Sequence, residues 1–581
     1  MRLRRTTPGS ATGRLALRRP GVGVFVMAGV ITVLGFYLIY PVFLILLNSF
    51  NVAPEVFVGP REWGLGNWQV AFKQPGLLVS IGNSLLIWML TFGFSMPIGV
   101  TLAWTLARVR LPLSHTLEFL FWVSYMMPSM ATTIAWITLF DPRIGMANQL
   151  IAALPFVESG PFDIFSVSGI VWANLMANGI SLKVMLLTPA FRNMDASMEE
   201  AAKVSGASTL TAMLRVTLPL MASPMMLVFA LQLLRIFQSF ETELLLGLPF
   251  GFFVYSTFIY DLVARHEPPL YGQATVLGSL TLLIVAAIIP LQRWILERRR
   301  YTTISGSFRP GLIDVGRWRL VVFATIVLLT FVLTIAPAVV LVLGSFMTRS
   351  GYFYLTPAFT TDHWAFVLTD RTFVRALGTT LVLATFAAIS SPLLFSVLAY
   401  ILVRTRWRLR GALDLIIWGS GAIPGILSGL GLLWLFLGTP FLTFLFGTIW
   451  ALFIVVLIQG NTTGVNVMKG AFVQVGQDME DAARIAGAGW LRTYFQIWVP
   501  LLMKTLVLLA TLNFVGAAGT TSSIILIASR DSMTLSLLAL EYRLSTWHEY
   551  ASIVSVFLMI LTVGLATLLR AFGLRFGVRH V

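Results

Sequence analysis

Carboxylates set beside small residues are the first groups in this chain whose type and spacing suggest chemistry. Glu199 and Glu200 precede Ala201-Ala202-Lys203-Val204-Ser205-Gly206, and ten residues after Gly206 begins Val216-Thr217-Leu218-Pro219. The pattern returns 281 residues later, as Glu480-Asp481-Ala482-Ala483-Arg484-Ile485-Ala486-Gly487 leading to Ile497-Trp498-Val499-Pro500. Phe191 and Met198 also have partners at that offset, Phe472 and Met479. Repetition at so many positions points to two copies of one unit. The chemistry on offer is recognition. Ala201, Ala202, Ala482 and Ala483 favour a helix and leave its backbone open to close approach. Glu199, Glu200, Glu480 and Asp481 are suited to pair with basic residues of a partner and set its register, or else are simply solvated at a helix start. Gly206 and Gly487 allow a sharp turn where a Cβ would obstruct it. Pro219 and Pro500 suit the first turn of the helix that follows, where a missing N–H costs little. A surface helix ending at a Gly cap would explain one copy, but not two in register.

Groups for covalent or metal chemistry do not assemble. With 0 Cys in 581 residues, disulfides, thiolate metal sites and a Cys nucleophile are excluded. His115, His266, His363, His548 and His580 lack metal or triad spacing and read as interfacial. His363, in Thr361-Asp362-His363, is a contact for an external protein or, by preference, merely exposed. No GxxxxGK[ST] phosphate loop occurs, so any nucleotide hydrolysis belongs to a separate subunit and this chain is not an enzyme.

The elements that position the repeat are apolar. The chain is 57% hydrophobic and 11% charged, against about a quarter charged in soluble domains, and its long uncharged runs reach the roughly 20 residues that cross a bilayer. The first run, 22–47, is too long for a signal peptide and is kept as an anchor. Spans are expected at about 22–48, 84–107, 117–140, 166–189, 218–240 and 273–296, then near 320–346, 377–403, 413–437, 441–460, 500–528 and 549–571. The early spans align at an offset of 296, pairing Pro41 with Pro337, Ser49-Phe50 with Ser345-Phe346, Arg108 with Arg404 and Pro128 with Pro424. Fifteen residues are therefore missing from the second half, in the loop matching 141–165, where length is cheap. The expected fold is an all-α integral membrane protein, twelve transmembrane helices in two parallel six-helix repeats related by an axis along the membrane normal. The divisions are a tail at 1–20, a first repeat at 21–297, a linker at 298–319 and a second repeat at 320–581, with the duplicated loops at about 195–219 and 476–500.

The net charge of +16 sits in short blocks between spans, which suits membrane orientation better than a nucleic-acid face. Arg2, Arg4, Arg5, Arg14, Arg18 and Arg19, the pair Arg108/Arg110, the block Arg298-Arg299-Arg300, the set Arg404/Arg406/Arg408/Arg410 and the set Arg570/Arg575/Arg579 then all fall inside. Both termini and both duplicated loops are accordingly cytoplasmic.

The duplicated segment resembles the EAA loop of permease subunits of binding-protein-dependent ABC importers, with Asp481 the one departure in the motif. The resemblance implies the MetI-like permease fold and a bacterial cytoplasmic (inner) membrane location. It also implies two copies of a cytoplasmic ATPase that hold ATP-Mg, an extracytoplasmic solute-binding protein, and no cofactor on this chain. It assigns ATPase coupling to Glu199, Glu200, Ala201, Ala202, Gly206, Pro219, Glu480, Asp481, Ala482, Ala483, Gly487 and Pro500. Fused two-copy chains of this kind are most similar to ferric-iron importers, with thiamine, polyamine and phosphonate importers as relatives. Ile423 to Trp434 and Ser239-Phe240-Glu241 through Gly247 carry that likeness loosely, and neither is an iron ligand set.

Polar groups within spans are the guide to a path. Gln232, Arg235 and Gln238 recur at three-residue spacing on span 5, with Glu241 and Glu243 beyond, while the second half offers Asn513, Gly516 and Gly519. Gln232, Arg235, Gln238, Glu241 and Asn513 are the candidate path residues; an Arg–Glu pair that merely closes the bundle is the alternative. Lys183 is expected to snorkel to the interface, and Pro128 and Pro424 to kink span 3 of each half. An ion-coupled secondary transporter would also accommodate twelve spans, but should show matched buried acids in both halves, and it leaves the EAA repeat unexplained.

Overall fold

The computed structural model describes residues 22–298 and 312–571, apart from 54–56, 58–59, 156, 158, 196, 406–409, 422 and 477. The tail arginines, Arg299, Arg300, Arg406, Arg408, Arg575 and Arg579 lie outside the described residues.

Among the described residues, seven helices are long and apolar enough to cross a bilayer unbroken: Pro75–Arg108, Val167–Arg192, Tyr271–Ile288, Gly316–Phe346, Arg371–Arg404, Ile449–Gln474 and His548–Leu568. Four bent pairs and the 27-residue apolar helix Val22–Asn48 complete twelve spans. Span 3 of each half is broken rather than kinked. Ser114–Met126 meets Ser129–Phe140 at 95°, and Arg410–Ser420 meets Gly425–Gly438 at 111°. Pro128 and Pro424 stand at the N-caps of the second limbs in extended backbone, because the residue itself lacks a donor and the one before it is steered away from helix. Span 5 of each half is also broken, at 65° between Thr209–Leu220 and Ala222–Phe237 and at 79° between Trp490–Leu501 and Met503–Gly519.

Several boundaries differ from the sequence reading. The fourth span of the second half is Ile449–Gln474 rather than 441–460, because Pro440–Leu445 forms a short 3₁₀ segment in a loop. Its fifth span ends at Gly519 rather than 528. Between spans 5 and 6, where no helix is expected from the sequence, lie Glu241–Phe250 and Tyr255–Ala264, two helices bent 74° apart. Each rises only about 15 Å, half the bilayer core, so the pair enters the bundle and turns back. In the second half only Leu535–Leu544 is helical in the corresponding stretch.

The repeat holds in detail. Trp68 Nε1 donates to Ser49 Oγ at 3.2 Å and Trp364 Nε1 donates to Ser345 Oγ at 3.2 Å. The rings stack on Phe50 and Phe346, with centroids 5.6 and 5.2 Å apart. The halves also trade contacts. The first span of each half packs on the second limb of the other half's span 3, Val22–Asn48 on Gly425–Gly438 and Ala336–Phe346 on Ser129–Phe140. Gly431 permits the first contact, since a Cβ there would stand 3.0 Å from Pro41 Cβ.

Trp68→Phe and Trp364→Phe, which keep the ring and remove its donor, are each expected to cost about 1 kcal/mol. Thermal unfolding of the solubilised chain reads the loss, and Ser49→Ala should add little to Trp68→Phe because both remove the same bond.

Candidate functional site

The duplicated motif folds as the helices Ser197–Val204 and Asp478–Ile485. Each ends in the same cap. Gly206 has φ +86° and Gly487 has φ +78°. Ala207 N donates to Ala202 O at 3.0 Å, and Ala488 N donates to Ala483 O at 2.9 Å, the six-to-one bond of a Schellman turn. A Cβ on either glycine would meet nothing within 4 Å. Positive φ, not a neighbouring obstruction, therefore demands glycine, which corrects the sequence reading. Pro219 and Pro500 are displaced as well. They sit in the one-turn pieces Leu218–Leu220 and Val499–Leu501, which end the first limbs of spans 5 just ahead of the breaks. Before each piece the helix widens into a π turn, Met213–Thr217 and Tyr494–Trp498, at the same offset of 281.

The four acids divide into two inward and two outward. Glu199 and Glu480 are buried, 5% and 4% exposed, whereas Glu200 and Asp481 are exposed. Thr217 Oγ1 donates to Glu199 Oε1 at 2.5 Å, and Arg108 Nε lies 4.0 Å from Glu199 Oε2. In the second copy Tyr400 donates to Glu480 Oε1 at 2.7 Å and Arg484 at 2.6 Å. Glu199 and Glu480 thus fasten their helices to the chain's own spans and are not free to pair with a partner. The sequence did not mark their partners. Arg108, only 1% exposed, also donates to Met194 O at 2.6 Å. Its counterpart Arg404 donates to Phe472 O at 2.9 Å and to Val475 O, which tie the end of span 2 to the end of span 4.

Outward, the two copies present matching apolar groups. Val204 is 90% exposed and Ile485 88%, and the pairs Met198/Met479 and Leu210/Leu491 are exposed too. All three pairs are 281 residues apart, a signal available in the sequence. Ala201 and Ala482 are exposed beside them, while Ala202 is half-buried and Ala483 buried.

The candidate path residues converge elsewhere. Gln232, Arg235, Gln238 and Glu241 line a cavity of 240 Å³ with Lys183 and Glu243. A second cavity, of 420 Å³, is lined by Asn513 and shares Arg235, Glu241, Asn178 and Ser129 with the first. Glu241 and Glu243 are not on span 5, whose helix closes at Phe237, but open the re-entrant helix Glu241–Gly247. Glu241 Oε1 accepts from Ser522 N at 3.2 Å, and Gln238 donates to Gly421 O at 3.0 Å, so both bridge the halves. Glu243 accepts from Asn174 at 2.8 Å. Among the described residues Arg235 makes no ion pair, so it closes the bundle through no Arg–Glu bridge. Lys183 does not snorkel. It is 2% exposed, with its ammonium 5.8 Å from the Phe92 ring centre. His363 is half-buried rather than free, its Nε2 lying 3.1 Å from Thr348 O.

The model of the family described as "Binding-protein-dependent transport system inner membrane component" matches residues 95–301 and again 392–577. The chain belongs to that family. It is an ABC importer permease in fused two-copy form, a transport component and not an enzyme. Among curated proteins this permease is 24% identical to the ferric transport system permease protein FbpB of Actinobacillus pleuropneumoniae, over 87% of this chain and 72% of that one. It is 25% identical to the putative ferric transport system permease protein FbpB 1 of Haemophilus influenzae, over 68% and 62%. A probable sulfate transport system permease protein cysT of Zygnema circumcarinatum matches at 25% over 41% of this chain and 81% of that one.

Removing the inward carboxylate of the permease, Glu199→Ala, leaves Arg108 buried without its counter-charge. The expected cost is of the order of 3 kcal/mol, against less than about 0.5 kcal/mol for the exposed Glu200→Ala. Gly206→Ala should cost about 1–2 kcal/mol through its backbone alone. Unfolding of the purified permease ranks all three.

Proposed function

We propose that this permease forms the membrane path of an ATP-driven importer in the bacterial cytoplasmic membrane. A solute delivered by an extracytoplasmic binding protein crosses through the 420 Å³ cavity between the halves and the adjoining 240 Å³ cavity of the first half, driven by two copies of a cytoplasmic ATPase that hold ATP-Mg. Both termini are cytoplasmic in this reading, which the distribution of basic residues supports. The repeats run 21–297 and 320–581, joined by a cytoplasmic linker at 298–319. Docking falls to the outer faces of the duplicated helices. Glu200 and Asp481 supply charge, Ala201 and Ala482 close approach, and Val204 and Ile485 the apolar contact. Gly206, Gly487, Pro219 and Pro500 shape the turns behind them, and Ala202 and Ala483 fill the inner face.

The observation that carries this reading is the matched exposure of Val204 and Ile485 on helices held in place by buried Glu199 and Glu480. Isolated bulky apolar side chains at such exposure are ordinary. The same three pairs repeated on two rigidly fastened helices outline two equivalent contact patches, and a helix clamped to its spans transmits movement as a rigid body. Ferric iron is the substrate we favour, on the likeness to two ferric permeases. The sulfate relative, and the thiamine, polyamine and phosphonate importers that the sequence also resembles, keep other solutes in view.

Val204→Glu combined with Ile485→Glu is expected to leave permease levels unchanged while abolishing membrane recovery of the co-expressed ATPase, and with it ferric-iron uptake. Each single variant should retain intermediate recovery. Unchanged recovery and uptake in the double variant would remove the docking role and reopen an ion-coupled transporter.

A further inference from the structure

The 240 Å³ cavity is lined by two basic side chains that form no ion pair among the described residues. Lys183 and Arg235 both line it. Neither has a carboxylate within ion-pairing distance among the described residues. The cavity's two acids accept from neutral donors, Glu241 from Ser522 N and Glu243 from Asn174 on the cavity's own lining, and Glu243 Oε2 is buried without a partner. An ammonium buried inside a membrane protein and left unpaired is costly, so a fold that needed only packing here would not keep one.

The second half shows what packing alone requires. At the offset of 281, Lys183 corresponds to Gly464 and Arg235 to Gly516; at 296, Gly99 corresponds to Phe395. The contacts are exchanged as a set. A Cβ on Gly99 would fall 2.4 Å from Lys183 Cβ, and one on Gly464 would fall 2.0 Å from Phe395 Cδ2. In one half a glycine on span 2 makes room for a lysine on span 4. In the other a phenylalanine on span 2 fills the room left by a glycine on span 4. The same junction is thus built once without charge and once with a cation turned into the cavity.

We infer that Lys183 and Arg235 form a binding site for an anionic group, and that the transported solute passes this cavity as an anion or an anionic complex. The inference rests on the path reading given above and narrows its substrate class. An oxyanion or carboxylate bridging the two side chains gains charge-assisted hydrogen bonds from both, with Asn178 and Gln232 also in the lining. The volume is smaller than the roughly 300–1,000 Å³ of drug-sized pockets and suits a small ion.

The test uses the full chain in lipid nanodiscs, titrated with inorganic phosphate or with citrate against chloride at constant ionic strength. Saturable elevation of the unfolding temperature reports binding. At least one of the two anions is expected to stabilise the wild type, and Lys183→Gln and Arg235→Gln should each weaken that response at least about tenfold. Lys183→Gly with Gly99→Phe copies the packing of the second half, so it is expected to fold and still lose the response. No saturable response to either anion in the wild type, or an equal response in all variants, overturns the inference. ATPase recovery in membranes, measured on the same variants, is expected to stay at the wild-type level. A wild type that recruits the ATPase but ignores both anions therefore sinks the anion site while the importer reading stands.

Discussion

A carboxylate buried on a helix outside the membrane spans is the constraint on which the rest of this structure depends. Glu199 and Glu480 face inward, and a buried acid needs partners. Meeting that need fixes the rotation of each short helix. Once the inner face is set, the helical period sends Glu200 and Asp481, Val204 and Ile485 outward without further instruction. The two halves answer the same need with different chemistry, a threonine on the π turn and an arginine from span 2 in one, a tyrosine from span 2 and the helix's own arginine in the other. What has been kept is the placement of the acid, and what has drifted is its solvation.

From those clamps the bundle can be followed towards its centre. Arg108 and Arg404 join the ends of spans 2 and 4, so spans, clamp and short helix form one unit in each half. The breaks at Pro128 and Pro424 turn the second limbs of span 3 away, and the first span of the opposite half covers them. Broken helices expose backbone groups, which a bilayer does not satisfy. Here they fall where the two halves meet, and there the 420 Å³ cavity forms. Gln238 donating to Gly421 O and Glu241 accepting from Ser522 N are two such repairs across the boundary.

Much of this was legible in the sequence, for identifiable reasons. Apolar runs and an offset repeat need no tertiary information, so the two copies, most spans and the positions of the duplicated helices could be read directly. Burial of one acid in an adjacent pair could not. Glu199 and Glu200 are alike in type and differ only in which way the helix turns them, which Thr217 and Arg108 decide from other elements. The re-entrant pair 241–264 escaped because its helices are short and their flanks polar, a pattern shared with loops. Lys183 was misplaced because snorkelling is the usual escape for a lysine near a span end, and only the glycine at 99 on a neighbouring helix makes the inward route available. Gly206 was assigned correctly for the wrong reason, since a positive φ and a crowded Cβ leave the same residue in the sequence.

The pattern of divergence separates two kinds of demand on the chain. Positions on the outer helices match across the halves in size and exposure, as expected if each meets an identical partner. Positions at the centre do not: Lys183 and Arg235 correspond to Gly464 and Gly516 in the second half. A two-fold arrangement of partners requires symmetry where they dock, but a small solute passing between two halves touches both walls at once and requires none. Fusing the copies into one chain removes the obligation that a homodimer would impose, namely that any charge placed on one wall also appears on the other. Two lysines and two arginines around one cavity would add unpaired buried charge at a cost that rises with each ion. Confining the cations to one half keeps that cost to a single pair, while the second half packs its own span 2 on span 4 through Phe395 and Gly464.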